Sequence, residues 1–307
     1  MLKPNLFIVG AAKAGTTSLY SYLNGHPKIN ASVIKEPHFF SDDIRCKDIN
    51  PKRKKSTCFH QEKYFAKKIL APKHIAYIES QDNYLKLFDL REDYSYFLDA
   101  STGYLHSKSA AQNIYDFNKD AKIIIALRHP AERAYSHFLM DLSGGILEGK
   151  DFIKEIERQR SEKNRNSENN LYIERSLYAQ QIKRYMDIFP KENIMIVFQD
   201  ELNRDTQKIM DGIFDFLDLD SIKIDIEKRE NTGKVPRSFR LNNFMMKFVF
   251  LRDFIPQVIK DKVKLLLQTS HKQKMSSAER EYILRYVKED IKALEKLLDR
   301  DLGGWLV

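Results

Sequence analysis

The chain has 307 residues, 42% of them apolar and 31% charged, an ordinary globular composition with enough length for one large core or two smaller ones. No run approaches the ~18 apolar residues of a membrane span; the longest candidate, Phe244 to Ile255, is broken by Lys247, Arg252 and Asp253. The net charge of +9 fits either plain solubility or an anionic ligand such as a nucleotide, an acidic glycan or nucleic acid.

In chain order, Leu6–Val9 is an apolar strand that runs into Gly10. Four residues intervene before Gly15, and Thr16–Asn24 reads as a helix stopped by Gly25, His26 and Pro27. Residues 41–58 are polar, lysine-rich and interrupted by Pro51, so they read as a surface loop. Cys46 and Cys58 flank the basic stretch Asn50–Lys55; two free thiols are expected there, with a loop disulfide as the alternative. His74–Ile78 is β-like, Asn83–Phe88 helical, Tyr96–Leu98 a strand and Ser107–Phe117 a helix.

Lys122–Leu127 is the clearest buried strand, followed by Arg128, His129, Pro130 and a helix to about Leu142. Residues 161–170 read as a polar loop. Leu177, Gln181, Arg184, Tyr185 and Ile188 mark a helix closed by Pro190, Ile194–Phe198 a strand, and 206–218 an amphipathic helix. Asn231–Arg240 is a basic loop. Near the end, Ser276 and Glu279 form a capping-box pattern, opening a helix whose apolar stripe is core-like. Strands alternating with helices predict an α/β fold with a mainly parallel sheet, here as one domain over 1–307 whose last part, 240–307, is mainly helical.

Four segments can carry chemistry. The first is the loop Gly10–Thr17, with Lys13, Ala14, Gly15, Thr16 and Thr17, followed by Ser18 as a further binding candidate. A small-residue turn between strand and helix offers backbone N–H groups to an anion. Its outer spacing is that of a nucleotide P-loop, but a Walker A lysine follows the second glycine, whereas Lys13 lies inside the loop. The second segment is Lys35–Phe40. Glu36 precedes Phe39 and Phe40, and a carboxylate beside apolar rings is expected to have a raised pKa suited to a general base; His38 is the other titratable candidate. The third follows the strand at 122–127, at a carboxyl edge where α/β proteins bind ligands. There Arg128 can fork onto a phosphate and Ser136 can add a hydrogen bond; Arg133 is either a further phosphate ligand or a solvated helix residue. In the fourth, Asn231–Arg240, Lys234 and Arg237 are candidates to close over a nucleotide.

Together these segments resemble the sulfotransferases that use 3′-phosphoadenosine 5′-phosphosulfate (PAPS). Residues 13–18 are similar to that family's 5′-phosphosulfate loop, and Leu127–Ser136 to its 3′-phosphate motif. Glu36 aligns with the catalytic glutamate of the heparan-sulfate-type branch, Asp99–Tyr104 with its Glu-Lys-(Ser/Thr)-x-x-Tyr segment, and Tyr178–Ile182 with its Ala-x-Gln-Ile helix; the end of the chain, to Trp305, resembles bacterial members. Ala100 departs from the lysine of the animal glycan enzymes, and His129 from the usual Asp or Asn. The resemblance implies a P-loop-like three-layer fold and sulfuryl transfer from PAPS, releasing 3′-phosphoadenosine 5′-phosphate (PAP), without a metal. Lys13, the loop amides and Thr16/Thr17 would stabilise the leaving phosphate, Glu36 would accept the acceptor proton, and Arg128 and Ser136 would hold the 3′-phosphate.

It further implies a carbohydrate or glycolipid acceptor, or a polyketide or other small alcohol, and no nucleic-acid partner. A strand beginning almost at the first residue leaves no room for a leader, so a bacterial-type cytoplasmic enzyme is expected. A P-loop kinase-like phosphotransferase and a non-catalytic module for anionic polymers are the alternative readings.

Overall fold

The computed structural model describes residues 2–49, 54, 57–147, 149–161, 172–225, 235–236, 268–269 and 274–307. The elements run β1 (Leu6–Gly10), α1 (Thr16–Leu23), β2 (Ile29–Ala31), β3 (Ile34–Glu36), α2 (Gln61–Phe65), β4 (Lys73–Ile75), α3 (Gln81–Leu85), β5 (Tyr96–Asp99), α4 (Ala110–Phe117) and β6 (Lys122–Leu127). They continue with α5 (Pro130–Ser143), α6 (Phe152–Ser161), α7 (Tyr178–Met186), β7 (Ile194–Phe198), α8 (Gln199–Arg204), α9 (Thr206–Phe216), the two-residue strands β8 (Val235–Pro236) and β9 (Gln268–Thr269), and α10 (Ser277–Leu298).

Five strands form one sheet in the order β2-β5-β1-β6-β7, and all its pairings are parallel. Helices flank it. Every residue of β1 is buried, as are Ile123–Leu127 of β6, which is why these strands read as unbroken apolar runs: a parallel sheet covered on both faces has no polar side to alternate. β1 lies in the middle, hydrogen-bonded to β5 on one side and β6 on the other. The chain order reverses there, so the carboxyl ends of β1, β5 and β6 open onto a topological switch point.

A smaller parallel pair, β3 with β4, sets Glu36 opposite Ile75. β2, β3 and the helices α2, α6 and α8 are absent from the sequence reading. The capping box of α10 is present, with Ser276 as N-cap, and Ile283, Val287, Ile291 and Leu294 are its buried stripe.

Cys46 and Cys58 are disulfide-bonded, with Cα atoms 5.9 Å apart, which corrects the expectation of free thiols. Ile44, Ile49 and Tyr77 form a small apolar cluster beside them.

Arg133 is likewise corrected. It is fully buried, with Nε donating to Ser176 Oγ (2.7 Å) and Nη2 to the Tyr172 carbonyl (2.7 Å). It clamps the 172–176 segment onto α5 and does not reach solvent.

Candidate active site

Gly15 is the N-cap of α1 at φ +91°, and no side chain caps the helix. The first-turn amides at Thr16 and Thr17 therefore have no intrahelical acceptor and are open to an anion. Lys13 stands at φ +73°, a left-handed conformation that a non-glycine residue adopts only under constraint. Its Nζ lies 3.6 Å from Met140 Sδ on α5. Ala14 and Thr16 are buried at the base of the turn, while Thr17 and Ser18 are half-buried on the first turn of the helix.

Arg128 leaves the end of β6 beside this turn, and its Nη1 donates to the Lys13 carbonyl (3.3 Å). The first and third sequence segments are thus physically joined. Ser136 lies one helical turn past Glu132, on the same face of α5. Lys234 and Arg237 lie outside the described residues.

Glu36 ends β3 with its side chain only 7% exposed, yet it is densely solvated by protein. Oε1 takes the Lys35 ammonium at 2.9 Å and faces His74 Nε2 at 3.8 Å. Oε2 accepts from Thr102 Oγ1 (2.7 Å) and Thr102 N (3.3 Å), with His38 Nε2 at 3.4 Å. Burial by itself would push this carboxyl up, but Lys35, His38 and Thr102 outweigh it and hold it well below the ordinary 4.5. The raised pKa expected from neighbouring aromatics is therefore overturned. Phe39 stacks on Tyr84 and Phe40 packs edge-on to Phe7, so the rings serve the core.

His38 also has a left-handed backbone, at φ +48°. Its ring stacks on Tyr77 at 4.9 Å between centroids, and its Nδ1 is buried with no hydrogen-bond partner among the described residues. A Cβ at Gly103 would come within 2.7 Å of the ring, so only glycine leaves room for it. Beneath it Asp99, at the end of β5, accepts from Ser101 Oγ (2.7 Å), Tyr84 OH (3.0 Å) and Tyr104 OH (2.8 Å). Ser101 Oγ in turn accepts from the His38 amide (3.0 Å), and the Tyr104 oxygen accepts from the Phe40 amide (3.3 Å). Full burial raises Asp99 to about 6 in spite of these bonds.

The two halves of the site meet at Gly10. A Cβ there would lie 2.6 Å from Leu105 Cβ and 3.3 Å from the Thr102 carbonyl, and Leu105 N donates to the Val9 carbonyl. Thr102 thus touches the end of β1 through its carbonyl and holds Glu36 through its amide and hydroxyl. Lys35, His74 and Thr102 are the residues around Glu36 that the sequence reading did not assign. Thr102 had a signal, lying inside the Asp99–Tyr104 segment; His74 had none.

With this geometry in view, the relatives are informative. The model of the Sulfotransferase family matches residues 4–223, most of the chain. This protein belongs to the sulfotransferase family. Carbohydrate sulfotransferase 15 of Mus musculus is 26% identical over 260 residues, covering 74% of this chain and 45% of the relative. Heparan sulfate glucosamine 3-O-sulfotransferase 5 of Mus musculus is 26% identical over 202 residues, covering 65% and 49%. The chain therefore spans about half the length of these curated relatives. Among solved structures, a sulfotransferase from Alicyclobacillus acidocaldarius superposes with a TM-score of 0.69 at 27% identity and covers 99% of both chains. The central parallel sheet with flanking helices is the fold expected of the family. Among the described residues, no helix is long and apolar enough to cross a membrane.

Proposed function

We propose that this sulfotransferase moves a sulfuryl group from PAPS to a hydroxyl, or an amine, of a carbohydrate acceptor. One juxtaposition supports this above all. The anion-receptive turn with Lys13 and Arg128 is joined through Gly10 and Thr102 to a buried carboxylate, Glu36. An anion-activated donor and a proton acceptor are what group transfer to a hydroxyl needs, and here one short segment serves both.

The residues present fit the donor. The turn amides and Lys13 suit the 5′-phosphosulfate, and Arg128 suits a 3′-phosphate. In the transfer, the acceptor oxygen forms a bond to sulfur as the bond from sulfur to the 5′-phosphate oxygen breaks. The charge left on that oxygen falls to Lys13 and the open amides of α1. The proton of the acceptor goes to Glu36 and from there to water. Held low by Lys35, Glu36 is ionised throughout the neutral range and ready to accept. Lys35 also places an ammonium beside the carboxylate in a site where position 100, buried as alanine, offers none; the Ala100 amide donates to the Lys35 carbonyl.

The curated relatives are named for carbohydrate and for heparan sulfate glucosamine, which favours a glycan acceptor over a polyketide. The test is thermal unfolding with PAP against ATP plus magnesium, then sulfate transfer from PAPS to glucosamine-containing oligosaccharides. A rise in Tm with PAP alone and sulfated product support the proposal. Stabilisation by ATP–magnesium alone would replace it with a phosphotransferase.

A further inference from the structure

Beside the donor turn, one carboxylate is shared by two guanidinium groups. Glu132 Oε2 lies 3.2 Å from Arg128 Nη2, and Glu132 Oε1 lies 2.5 Å from Arg280 Nη2. Arg280 comes from the start of α10, 148 residues away in sequence. The three side chains are 23%, 33% and 33% exposed, so a ligand can reach them. These three side chains, two cations and one anion, carry a net positive charge.

Among the described residues, the corner is also short of acceptors. His129, N-cap of α5, takes the Ala131 amide on Nδ1 at 3.2 Å, and Arg280 Nη1 faces its Nε2 at 3.1 Å. Burial and the nearby Arg280 lower this imidazole to about 4, so it is neutral at neutral pH. A neutral imidazole has a single lone pair, and two N–H donors address it. One donor is left to seek another acceptor, and among the described residues Arg280 Nη1 is otherwise 3.5 Å from the Val307 main-chain oxygen. A carboxylate supplies two oxygens to this cluster; a phosphate supplies three and more charge.

We propose that Glu132 is an internal stand-in for the 3′-phosphate of the donor, and that Arg280 becomes a second ligand to that phosphate when Glu132 gives way. This rests on the PAPS reading above. Glu132 is half-buried, one third exposed, and can swing toward solvent, while Arg128 keeps its other arm on the Lys13 carbonyl. An anion seated between Arg128 and Arg280 is thereby held in register with the turn that takes the 5′ end. The contact makes Arg280 a donor-binding residue and Glu132 a competitor that keeps the two guanidinium groups poised.

The experiment is calorimetric titration with PAP and with 5′-AMP, which lacks the 3′-phosphate. Arg280→Ala is expected to weaken PAP roughly tenfold or more, as befits a lost charge-assisted bond, and to leave AMP within about twofold. Glu132→Gln is expected to tighten PAP several-fold and leave AMP unchanged. Loss of PAP affinity on adding Arg280→Ala to Glu132→Gln separates direct contact from an effect through Glu132. Arg280→Lys, which keeps the charge and loses the fork, should fall between wild type and alanine and serves if the alanine variant does not fold. An unchanged PAP-to-AMP ratio in the Arg280 variants overturns the inference alone. A wild-type protein with no preference for PAP over AMP overturns the PAPS reading, and this inference with it.

Discussion

The ammonium of Lys35 lies 2.9 Å from the carboxylate of its chain neighbour Glu36, and both side chains are buried. Successive residues of a strand normally face opposite ways. Here the long lysine stem curls back, and the pair is held against Thr102. Removing the ammonium takes away the largest of the influences that oppose burial, leaving His38 and Thr102, on a carboxyl that must be ionised to accept a proton. Lys35→Met is therefore expected to raise the Glu36 pKa and move the acid limb of the kcat/KM profile to higher pH. Glu36→Gln should lower turnover roughly 100- to 10,000-fold with the fold intact. An acid limb unmoved by Lys35→Met would take Glu36 out of the base role and bring forward His38.

Lys13→Ala should cut turnover about 100- to 1,000-fold, the cost of removing one donor to a developing oxyanion. Because the left-handed backbone of Lys13 is unfavourable for alanine too, circular dichroism must show an unchanged fold. Steady-state kinetics with saturating donor measures the effect; a change confined to KM would assign Lys13 to ground-state binding instead.

Gly103→Ala tests the seat of His38. The added methyl would meet the imidazole at 2.7 Å, and Tyr77 stacked on the ring restricts its retreat. A stability loss of about 1–3 kcal/mol is expected, as for other overpacked sites. A fall in kcat should accompany it, because His38 leaves the Glu36 carboxylate. Full activity in a destabilised protein would show that the His38–Glu36 contact is dispensable.

Asp99 and Glu36 tilt stability in opposite directions with pH. Asp99 has a folded value near 6 against an ordinary 3.8, so the native state binds the extra proton and loses stability as pH rises from about 4 to 6. That difference amounts to about 3 kcal/mol. Glu36 is displaced downward, so its contribution is full above about pH 4.5 and fades as pH falls through its folded value. Denaturant unfolding at stepped pH should show Asp99→Asn flattening the slope between 4 and 6. A wild-type curve without that slope would mean that the bonds from Ser101, Tyr84 and Tyr104 offset burial.

The strand, turn and helix around Lys13 were legible because such a turn constrains residue type. A turn that presents amides to an anion needs small residues, and the apolar runs of β1 and β6 mark where it and Arg128 emerge. The environment of Glu36 was not legible. Phe39 and Phe40 are its neighbours in sequence, but their rings pack inward, while His74 and Thr102 arrive from strands and turns that only the fold brings near. Arg133 shows the same limit. On a helix whose exposed side cannot be told from its pattern, an arginine reads as a ligand or a solvated side chain; the 172–176 segment then covers it completely. The cysteines fail for a related reason, since both pack against a cluster of Ile44, Ile49 and Tyr77 that only the fold brings together.

The start of α7 carries a consequence for the order of folding. Its Tyr178 and Ala179 amides are capped by Asp290, 112 and 111 residues further along. The same helix braces the segment behind Glu36: Tyr185 donates to the Tyr104 carbonyl and Arg184 to those of Leu105, His106 and Ser107. Contacts so distant in sequence form slowly, because a long loop must close before they reward it. A chain emerging amino end first has its strands β1, β5, β6 and β7 in hand well before α10 exists. The corner around Glu36 is thus among the last parts to become rigid, though its residues are among the first to be made.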